Sequence, residues 1–330
     1  VDNTVAAEDQ TATLSLSGDT VTANVGANAA TTVTVESGEA ANDLTLGGAI
    51  VGGSGTIDVT GDQDLEINTA SSSLTGRTMN NNLSSGEVVV DLTALTGGND
   101  LSGVAADNFN VGSATSGDAL TFTSGSNVTL AQANDIDLVS DDTSDTSDSI
   151  TVVLDNGTTA FNNGSAGNGT GNDVFNTINV SAVNQASTLT AVAGANTDLV
   201  LSGSEDITLA ANTEANSVNA SAMTGALSVD EVDAALTDVE GGEGDDTFTS
   251  SEDTAVTVDG GLGTDTLALG AAITSMDHVE FSDIETIDVG GNSVTDADTG
   301  DFSGESLVLT GTGTQTFTFD TLDDATVDLS

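Results

Sequence analysis

The chain has 330 residues, of which 53 are Asp or Glu and only one, Arg77, is Lys or Arg, so its formal charge at pH 7 is −52. Self-repulsion of this size opposes folding unless cations neutralise it. It also excludes nucleic acid and anionic membrane surfaces as partners, because phosphate binding needs Lys or Arg. The sequence has no cysteine and therefore no disulfide framework.

Residues 1–40 contain two alternating segments, Thr11–Leu16 and Thr31–Val35, and lack the repeated phrases found later in the chain. Apolar and polar residues that alternate with a period of two predict half-buried strands. We expect these strands to form an N-terminal β arm or cap, in which an arm would pair with the exposed sheet edge of a neighbouring molecule.

Short runs rich in Val, Leu, Ile, Phe and Thr recur from residue 44 onward, separated by Gly, Asn, Asp and Ser. Such runs between turn-forming residues predict strands. The clearest are Leu44–Leu46, Thr56–Val59, Leu65–Ile67, Val88–Val90, Leu120–Thr123, Ile150–Leu154, Leu199–Leu201 and Thr316–Phe319. A helical turn or two is expected only around Val229–Thr237. No apolar stretch reaches the roughly 18 residues of a membrane span.

Weak internal repeats run through the same region. Val90–Gly97 resembles Val218–Gly225, and a third copy is Ile178–Val183. Another pair is Gly125–Ala131 and Gly203–Ala210. The second and third copies of the first phrase are about 40 residues apart, and the members of the other pair about 80 residues apart. Such spacings predict coils of about 20 residues, each stable only when stacked on its neighbours.

These repeats predict an all-β fold, a parallel β-solenoid (β-helix or β-roll) with an N-terminal β-strand arm or cap. The alternative is a string of immunoglobulin-like sandwiches, which also have frequent short strands. The solenoid is favoured because sandwich domains usually carry Trp, Tyr and Pro, all of which are absent. The expected segments are the arm or cap (1–40), solenoid coils with weak repeats (41–240), and calcium-binding coils with C-terminal strands (241–330).

Two nonapeptides, Gly241–Thr249 and Gly260–Ala268, match the pattern G-G-x-G-x-D-x-U-x, in which U is apolar. Their starting points lie about one coil apart, so they are expected to stack on one edge of the solenoid and share an ion. Glycines permit tight turns with positive φ that direct carbonyl oxygens inward, and the Asp adds a hard carboxylate. Calcium prefers such an oxygen-only shell, so the pattern predicts a Ca²⁺ site.

A third, degraded copy of the pattern is Asn168–Phe175, with Asn in place of the first glycine. Its Asp173 falls at the ligand position, so we include this residue among the candidate metal ligands. Two acidic runs, Asp141–Asp148 and Asp296–Asp301, are expected to be solvated loops. The second begins like an EF-hand loop, but its twelfth residue is Leu307 and not Glu, which excludes that motif.

Catalytic residue types are scarce. His278 is the only histidine and follows Asp277, but the chain has no Cys or Lys for such a pair to activate. A calcium-dependent β-helix polysaccharide lyase would have only Arg77 as proton acceptor. A two-carboxylate glycosidase usually stacks its sugar on Trp or Tyr, and neither occurs. We therefore predict that the protein is not an enzyme.

The two nonapeptides and the following segment Val279–Val289 resemble the calcium-binding (RTX-type) S-layer and surface proteins of Gram-negative bacteria. The resemblance covers about residues 175–290. It implies export in an unfolded state, folding outside the cell on meeting calcium, and assembly into a lattice or filament. By position it implies that Asp246 and Asp265 are side-chain ligands. The remaining ligands would be the backbone carbonyls of Gly242, Gly244, Gly261 and Gly263. The chain departs from the family in having few nonapeptides and a spacing one residue longer than two half-turns.

The sequence thus predicts an extracellular, cell-surface structural protein that folds and self-assembles with Ca²⁺ into a surface layer or filament. Its expected partner is itself, with cell-surface polysaccharide as a further candidate and no membrane insertion. An alternative is an adhesin or ice-binding solenoid, suggested by T-x-T pairs at Thr121/Thr123, Thr247/Thr249 and Thr316/Thr318, whose irregular spacing weighs against it. A polysaccharide-degrading β-helix enzyme is the least favoured alternative.

Overall fold

The structure, a computed structural model, is an all-β parallel solenoid, as the sequence predicted. It describes residues 10–18, 20–23, 30–48, 55–95, 99–112, 118–131, 135–142, 147–155, 157, 160–164, 174–190, 197–210, 215–232, 236–250, 256–270, 279–290, 294–297, 306–310, 317–319 and 326–329. These residues belong to two compact units, one formed by 1–153 with 161–175 and the other by 154–160 with 176–330. Among them, no helix has the length and apolarity needed to cross a membrane.

The strands of the first part of the chain form three parallel sheets, ordered β1-β3-β5-β7, β2-β4-β6-β8-β10-β12-β14 and β9-β11-β13-β15. A short 3₁₀ turn, Ser71–Ser73, follows the sixth strand. The strand bounds are β1 Gln10–Leu16, β2 Thr20–Ala23, β3 Ala30–Ser37, β4 Asn42–Leu46, β5 Thr56–Gly61, β6 Leu65–Ala70, β7 Thr78–Leu83, β8 Val88–Ala94, β9 Asn99–Asp100, β10 Asn108–Val111, β11 Asp118–Phe122, β12 Ser126–Leu130, β13 Asp135–Ser140, β14 Ser149–Asp155 and β15 Ala160–Asn163.

The strands of the second unit form two long parallel series, β16-β18-β20-β22-β24-β26 and β17-β19-β21-β23-β25-β27-β29-β31, and one pair, β28-β30. Their bounds are β16 Thr177–Val183, β17 Ser187–Leu189, β18 Asp198–Gly203, β19 Ile207–Leu209, β20 Ser217–Met223, β21 Leu227–Val232, β22 Asp238–Glu240, β23 Thr247–Ser250, β24 Val256–Asp259, β25 Thr266–Leu269, β26 Val279–Ser282, β27 Thr286–Asp288, β28 Val294–Ala297, β29 Ser306–Thr310, β30 Phe317–Phe319 and β31 Thr326–Leu329.

The core consists of columns of apolar side chains, one from each coil. One column in the first unit contains Leu44, Ile67, Val90, Phe109 and Val128, which pair in register from strand to strand. Each of the five is at most 1% exposed. Burying a side chain of this kind stabilises the fold by roughly 1.5–3 kcal/mol. Alternation with a period of two thus selects which residues face inward, and stacking buries them.

The coils have the length that the repeats predicted. Val200 pairs with Asn219 and Val258 pairs with Phe281, so one coil takes about 20 residues. The copies Ile178–Val183 and Val218–Gly225 begin two coils apart in the same sheet, since one other strand, β18, lies between theirs. The sandwich alternative is wrong, because the paired strands that the structure describes run parallel.

Two expectations from the sequence are wrong. The segment from Val229 to Val232 is part of strand β21 and not a helix, because Leu227 and Val229 are both buried, with the period of a strand. The resemblance between Gly125–Ala131 and Gly203–Ala210 does not reflect equivalent places in the fold. Their strands, β12 and β19, belong to different sheets.

The N-terminal strands continue the stacked sheets. β1 pairs with β3 over Gln10–Leu16, and β3 pairs in turn with β5. The described part of residues 1–40 therefore takes the position of a terminal coil. Of the two alternatives, an arm or a cap, this is the position of a cap. The division into two units near residues 154–175 differs from the three sequence segments, which were based on motif content.

Close stacking of coils makes some glycines irreplaceable, which a matched pair of substitutions tests. A Cβ on Gly103 would overlap the carbonyl oxygen of Arg77 in the adjacent coil, whereas a Cβ on Gly112 would meet nothing within 4 Å. We expect Gly103→Ala to lower the free energy of unfolding by about 1–3 kcal/mol, as overpacked sites do. Gly112→Ala should be neutral or stabilise by up to about 1 kcal/mol. Equal effects of the two substitutions in urea unfolding would contradict this account.

Candidate metal site

The two nonapeptides lie on adjacent coils at the same edge, as the sequence predicted. Strands β23 and β25, which follow the nonapeptide loops, pair with Thr247 opposite Thr266. Asp246 and Asp265 immediately precede these residues, and the backbone N–H of Asp246 donates to Oδ1 of Asp265 at 2.7 Å. The spacing of the two nonapeptides therefore keeps their loops in register.

Both aspartates point inward and are buried. Asp246 is 1% exposed and Asp265 is fully buried. They continue a column that is apolar in the preceding coils, where Ile207 pairs with Leu227. Leu227 lies opposite Asp246, because the next residues along, Ser228 and Thr247, pair with each other. The sequence carried a signal for this burial, because each Asp lies two residues before a buried apolar residue, Phe248 or Leu267, and so shares its face of the strand.

A third acid, Glu285, continues the column and was not identified from the sequence. The backbone N–H of Asp265 donates to Oε2 of Glu285 at 2.7 Å. Glu285 lies two residues before the buried Ile287, just as Asp246 lies two residues before Phe248. We call Asp246, Asp265 and Glu285 the carboxylate ladder.

The two carboxylates of the nonapeptides are satisfied unequally. Asp246 accepts from the N–H of Leu227 through Oδ1 (2.6 Å) and from the N–H of Gly242 through Oδ2 (2.7 Å). Asp265 accepts from the N–H of Asp246 through Oδ1, whereas its buried Oδ2 has no hydrogen-bond partner. A buried carboxylate oxygen without a partner is costly unless a cation or a proton neutralises it.

The pKa of the Asp265 carboxyl is raised to about 7, mainly by burial and also by the negative charges of Asp246, Glu285 and Asp245, while the N–H donor of Asp246 opposes the rise. Burial also raises the pKa of Asp246, while the N–H groups of Leu227 and Gly242 oppose that rise. The ladder thus favours whatever reduces its negative charge, which in solution is either protonation or a bound cation.

Backbone carbonyl oxygens lie beside both carboxylates, in places that a side chain would fill. A Cβ on Gly241 would overlap the carbonyl oxygen of Gly260 and lie 2.5 Å from Oδ2 of Asp246. A Cβ on Gly260 would overlap the carbonyl oxygen of Asp283 and lie 2.7 Å from Oδ2 of Asp265. Glycine is needed here for close approach of one coil to the next.

Two of the predicted carbonyl ligands, those of Gly242 and Gly244, lie against the adjacent coil. The carbonyl oxygen of Gly242 accepts the N–H of Leu262 at 2.8 Å, and a Cβ on Gly263 would overlap the carbonyl oxygen of Gly244. These contacts hold successive coils together. Positive φ, expected for the glycines of both loops, occurs at Gly261 (86°) and Gly263 (138°) but not in the first nonapeptide.

The donor set fits a calcium ion. Calcium takes six to eight oxygen ligands from carboxylates and carbonyls. Here the carbonyl oxygen of Asp283 lies beside the unpaired Oδ2 of Asp265, and the carbonyl oxygen of Gly260 lies beside Oδ2 of Asp246. No group of three or more His, Cys, Asp or Glu side chains suited to a metal occurs among the described residues. Backbone oxygens would therefore supply most of the shell, as the sequence motif implies.

The other candidates are less informative. Asp173, Asp277 and His278 lie outside the described residues, while Phe175 is buried as its place in the motif predicted. In the first acidic run, the expectation of a solvated loop is wrong for Asp148, which is 2% exposed and accepts the hydroxyl of Ser140.

Comparison of the chain with protein-family models, curated proteins and solved structures finds no match.

The raised pKa of Asp265 gives the metal-free protein a definite pH dependence. The folded pKa of about 7 exceeds the unfolded value of about 3.9. Folding therefore binds a proton, so in excess chelator the stability should fall as pH rises from about 4 to about 7. Asp265→Asn should weaken this dependence, because an amide can donate to the carbonyl oxygen of Asp283 and does not titrate. Thermal melts of both proteins that show the same pH dependence would contradict the assignment.

Proposed function

We propose that this protein is a calcium-stabilised structural solenoid of the cell exterior, which self-assembles into a surface layer or filament and has no catalytic role. The observation that carries the proposal is the carboxylate ladder with the unpaired, buried Oδ2 of Asp265, in a chain of net charge −52. The resemblance of the nonapeptides and Val279–Val289 to secreted surface proteins supplies the cellular setting.

Calcium would act through folding. Asp246, Asp265 and the half-buried Glu285 stack in consecutive coils, and the burial of the two aspartates opposes folding unless a cation compensates it. A bound Ca²⁺ supplies positive charge that hard oxygen donors can share. Because the donors come together only when coils stack, the free energy of binding becomes free energy of folding. An exported chain would thus remain unfolded until it meets external calcium.

The fold also supports assembly. In a parallel solenoid each sheet ends in a strand with one unpaired edge, and β1 and β2 occupy such ends in the described sheets. Edges of this kind accept a strand from another molecule. Without divalent cations, molecules of charge −52 repel one another over a Debye length of about 10 Å at 0.1 M salt. Calcium that bridges surface carboxylates removes this barrier.

The surroundings of Arg77 favour a structural role over polysaccharide cleavage. Its Nη1 donates to the carbonyl oxygens of Thr75 (3.1 Å) and Ser72 (3.4 Å), within its own loop. A guanidinium so engaged is poorly placed to accept a proton from substrate, and Arg77 is the only residue that the lyase alternative offers. Incubation with acidic polysaccharides and measurement of cleavage products would test that alternative.

The first test concerns the shared ion. Asp246→Ala and Asp265→Ala should each abolish or strongly weaken one class of Ca²⁺ binding in calorimetric titration, and the double variant should lose little more than either single variant. Asp238→Ala, which removes an exposed carboxylate on β22, is the matched control and should bind as the parent does. Additive losses from the two substitutions would show that the two loops do not share an ion.

The second test concerns folding and assembly. Addition of Ca²⁺ to chelated protein should raise the melting temperature and then produce ordered lattices or filaments visible by electron microscopy. NaCl at matched ionic strength should do both far less well, because screening reduces repulsion but cannot supply a ligand. Mg²⁺ should act weakly, since it requires a small octahedral shell. Unchanged melting with and without chelator, or a monomer at saturating Ca²⁺, would refute the corresponding half of the proposal.

A further inference from the structure

The outer face of the sheet β1-β3-β5-β7 is a two-dimensional array of small polar side chains. Alternation with a period of two leaves three outward positions on each strand, and in-register pairing aligns them in three columns of four. The columns are Thr11, Thr32, Thr56, Thr78, then Thr13, Thr34, Asp58, Asn80, then Ser15, Glu36, Thr60, Asn82. We call these twelve residues the hydroxyl face.

Seven of the twelve positions are Thr, and their hydroxyls are available to a ligand. None of these seven hydroxyls makes a hydrogen bond with another residue of the described chain, although all seven side chains are partly or fully exposed. The two acidic residues are both engaged, since Glu36 accepts the hydroxyl of Ser15 (2.9 Å) and Asp58 accepts the amide of Asn80 (2.7 Å). These two carboxylates keep their charge, and the other ten side chains of the face are uncharged hydroxyls and amides.

The other outward columns lack this character. On β18, β20, β22, β24 and β26, five of the outward residues are acidic: Asp198, Asp238, Glu240, Asp259 and Glu280. A row of six hydroxyls does occur on successive coils of the second unit: Thr188, Thr208, Ser228, Thr247, Thr266 and Thr286. That row is one column wide, with Asp288 two residues beyond Thr286 on the same face of β27. Among the strands that the structure describes, only the hydroxyl face repeats Thr in two directions.

The two repeats of the face are close to those of hydrogen-bonded water. Neighbouring strands are about 4.8 Å apart and outward residues on one strand about 6.7 Å apart. With an O–H···O distance of about 2.75 Å and tetrahedral angles, second-neighbour oxygens of ice lie about 4.5 Å apart, and the stacking repeat is about 7.3 Å. The mismatch accumulates to about 0.9 Å across four strands and to about 1.2 Å along the three outward residues of one strand, both below one hydrogen-bond length.

We propose that the hydroxyl face binds a planar water lattice, namely the surface of an ice crystal. Thr suits this ligand because its hydroxyl joins the lattice while its methyl group excludes disordered water between columns. A crystalline polysaccharide is less favoured, since sugar rings stack on Trp or Tyr and the chain has neither. This activity is separate from calcium-dependent folding, which rests on the carboxylate ladder, and from assembly, which rests on unpaired strand edges and surface carboxylates.

The face is not formed by the T-x-T pairs noted in the sequence. Thr121 pairs with Asp100 and Val139, and Thr249 pairs with Ala268, so neither belongs to an array of hydroxyls. Thr316 lies outside the described residues. The array arises from residues 11–82, where the sequence spacing of the threonines is irregular but the coil register aligns them.

The test compares two substitutions in the full chain with Ca²⁺ present. Thr34→Tyr places a large ring near the centre of the hydroxyl face, and Thr45→Tyr places the same ring at an outward position on β4, in a different sheet of the first unit. Tyr suits exposed strand positions, so both variants should fold. The parent should inhibit ice recrystallisation and show thermal hysteresis. Thr34→Tyr should lower this activity about tenfold, which corresponds to about 1.4 kcal/mol of binding free energy if binding alone changes. Thr45→Tyr should leave the activity unchanged.

Three results would overturn the proposal. The first is a parent protein that is folded, with the expected circular dichroism, but inactive on ice. The second is equal loss of activity in both variants. The third is binding to insoluble cellulose or chitin that Thr34→Tyr abolishes, without activity on ice, which would assign the face to polysaccharide. Light scattering after Ca²⁺ addition, recorded on the same samples, reports separately on self-assembly.

Discussion

In-register parallel stacking is the constraint on which the rest of this structure depends. Each coil pairs with the next through backbone hydrogen bonds, so a side chain lies over the equivalent side chain one coil away, at about 4.8 Å. The apolar column from Leu44 to Val128 shows the favourable result. The same rule applies to any residue type, so charges and hydroxyls that recur at the coil period are also brought together.

The carboxylate ladder is the costly consequence of this rule. Asp246 and Asp265 replace apolar residues in an inward column, and stacking places the carboxylate of Asp265 within hydrogen-bond distance of the backbone N–H of Asp246. N–H donors satisfy both oxygens of Asp246 but only one oxygen of Asp265. The fold therefore contains a site whose protonation or cation binding is coupled to coil stacking, and a strongly acidic chain can use such coupling to make folding depend on its surroundings.

The hydroxyl face is a third consequence of the same rule. Outward residues of β1, β3, β5 and β7 align as columns because the coils are in register, and Thr, which is favoured in strands, fills most of them. The outward columns around Asp238 and Glu240 are acidic instead. The outward columns of the described strands thus differ in charge, since those of β1, β3, β5 and β7 carry two acids among twelve residues.

Much of the fold was determined by the sequence alone. Alternation in segments such as Ile150–Leu154 fixes strand positions and inward faces, the spacing of the repeats at Ile178 and Val218 fixes the coil length, and the nonapeptides locate the stacked Asp246 and Asp265. Local pattern suffices for these features because strand formation and periodicity are properties of neighbouring residues. Only the tertiary structure decided which backbone carbonyls lie beside the carboxylates, that Glu285 joins the ladder, and that threonines as distant as Thr11 and Thr78 form one face. Those features depend on the register between coils, which bulges and unequal coil lengths set and which no single coil contains.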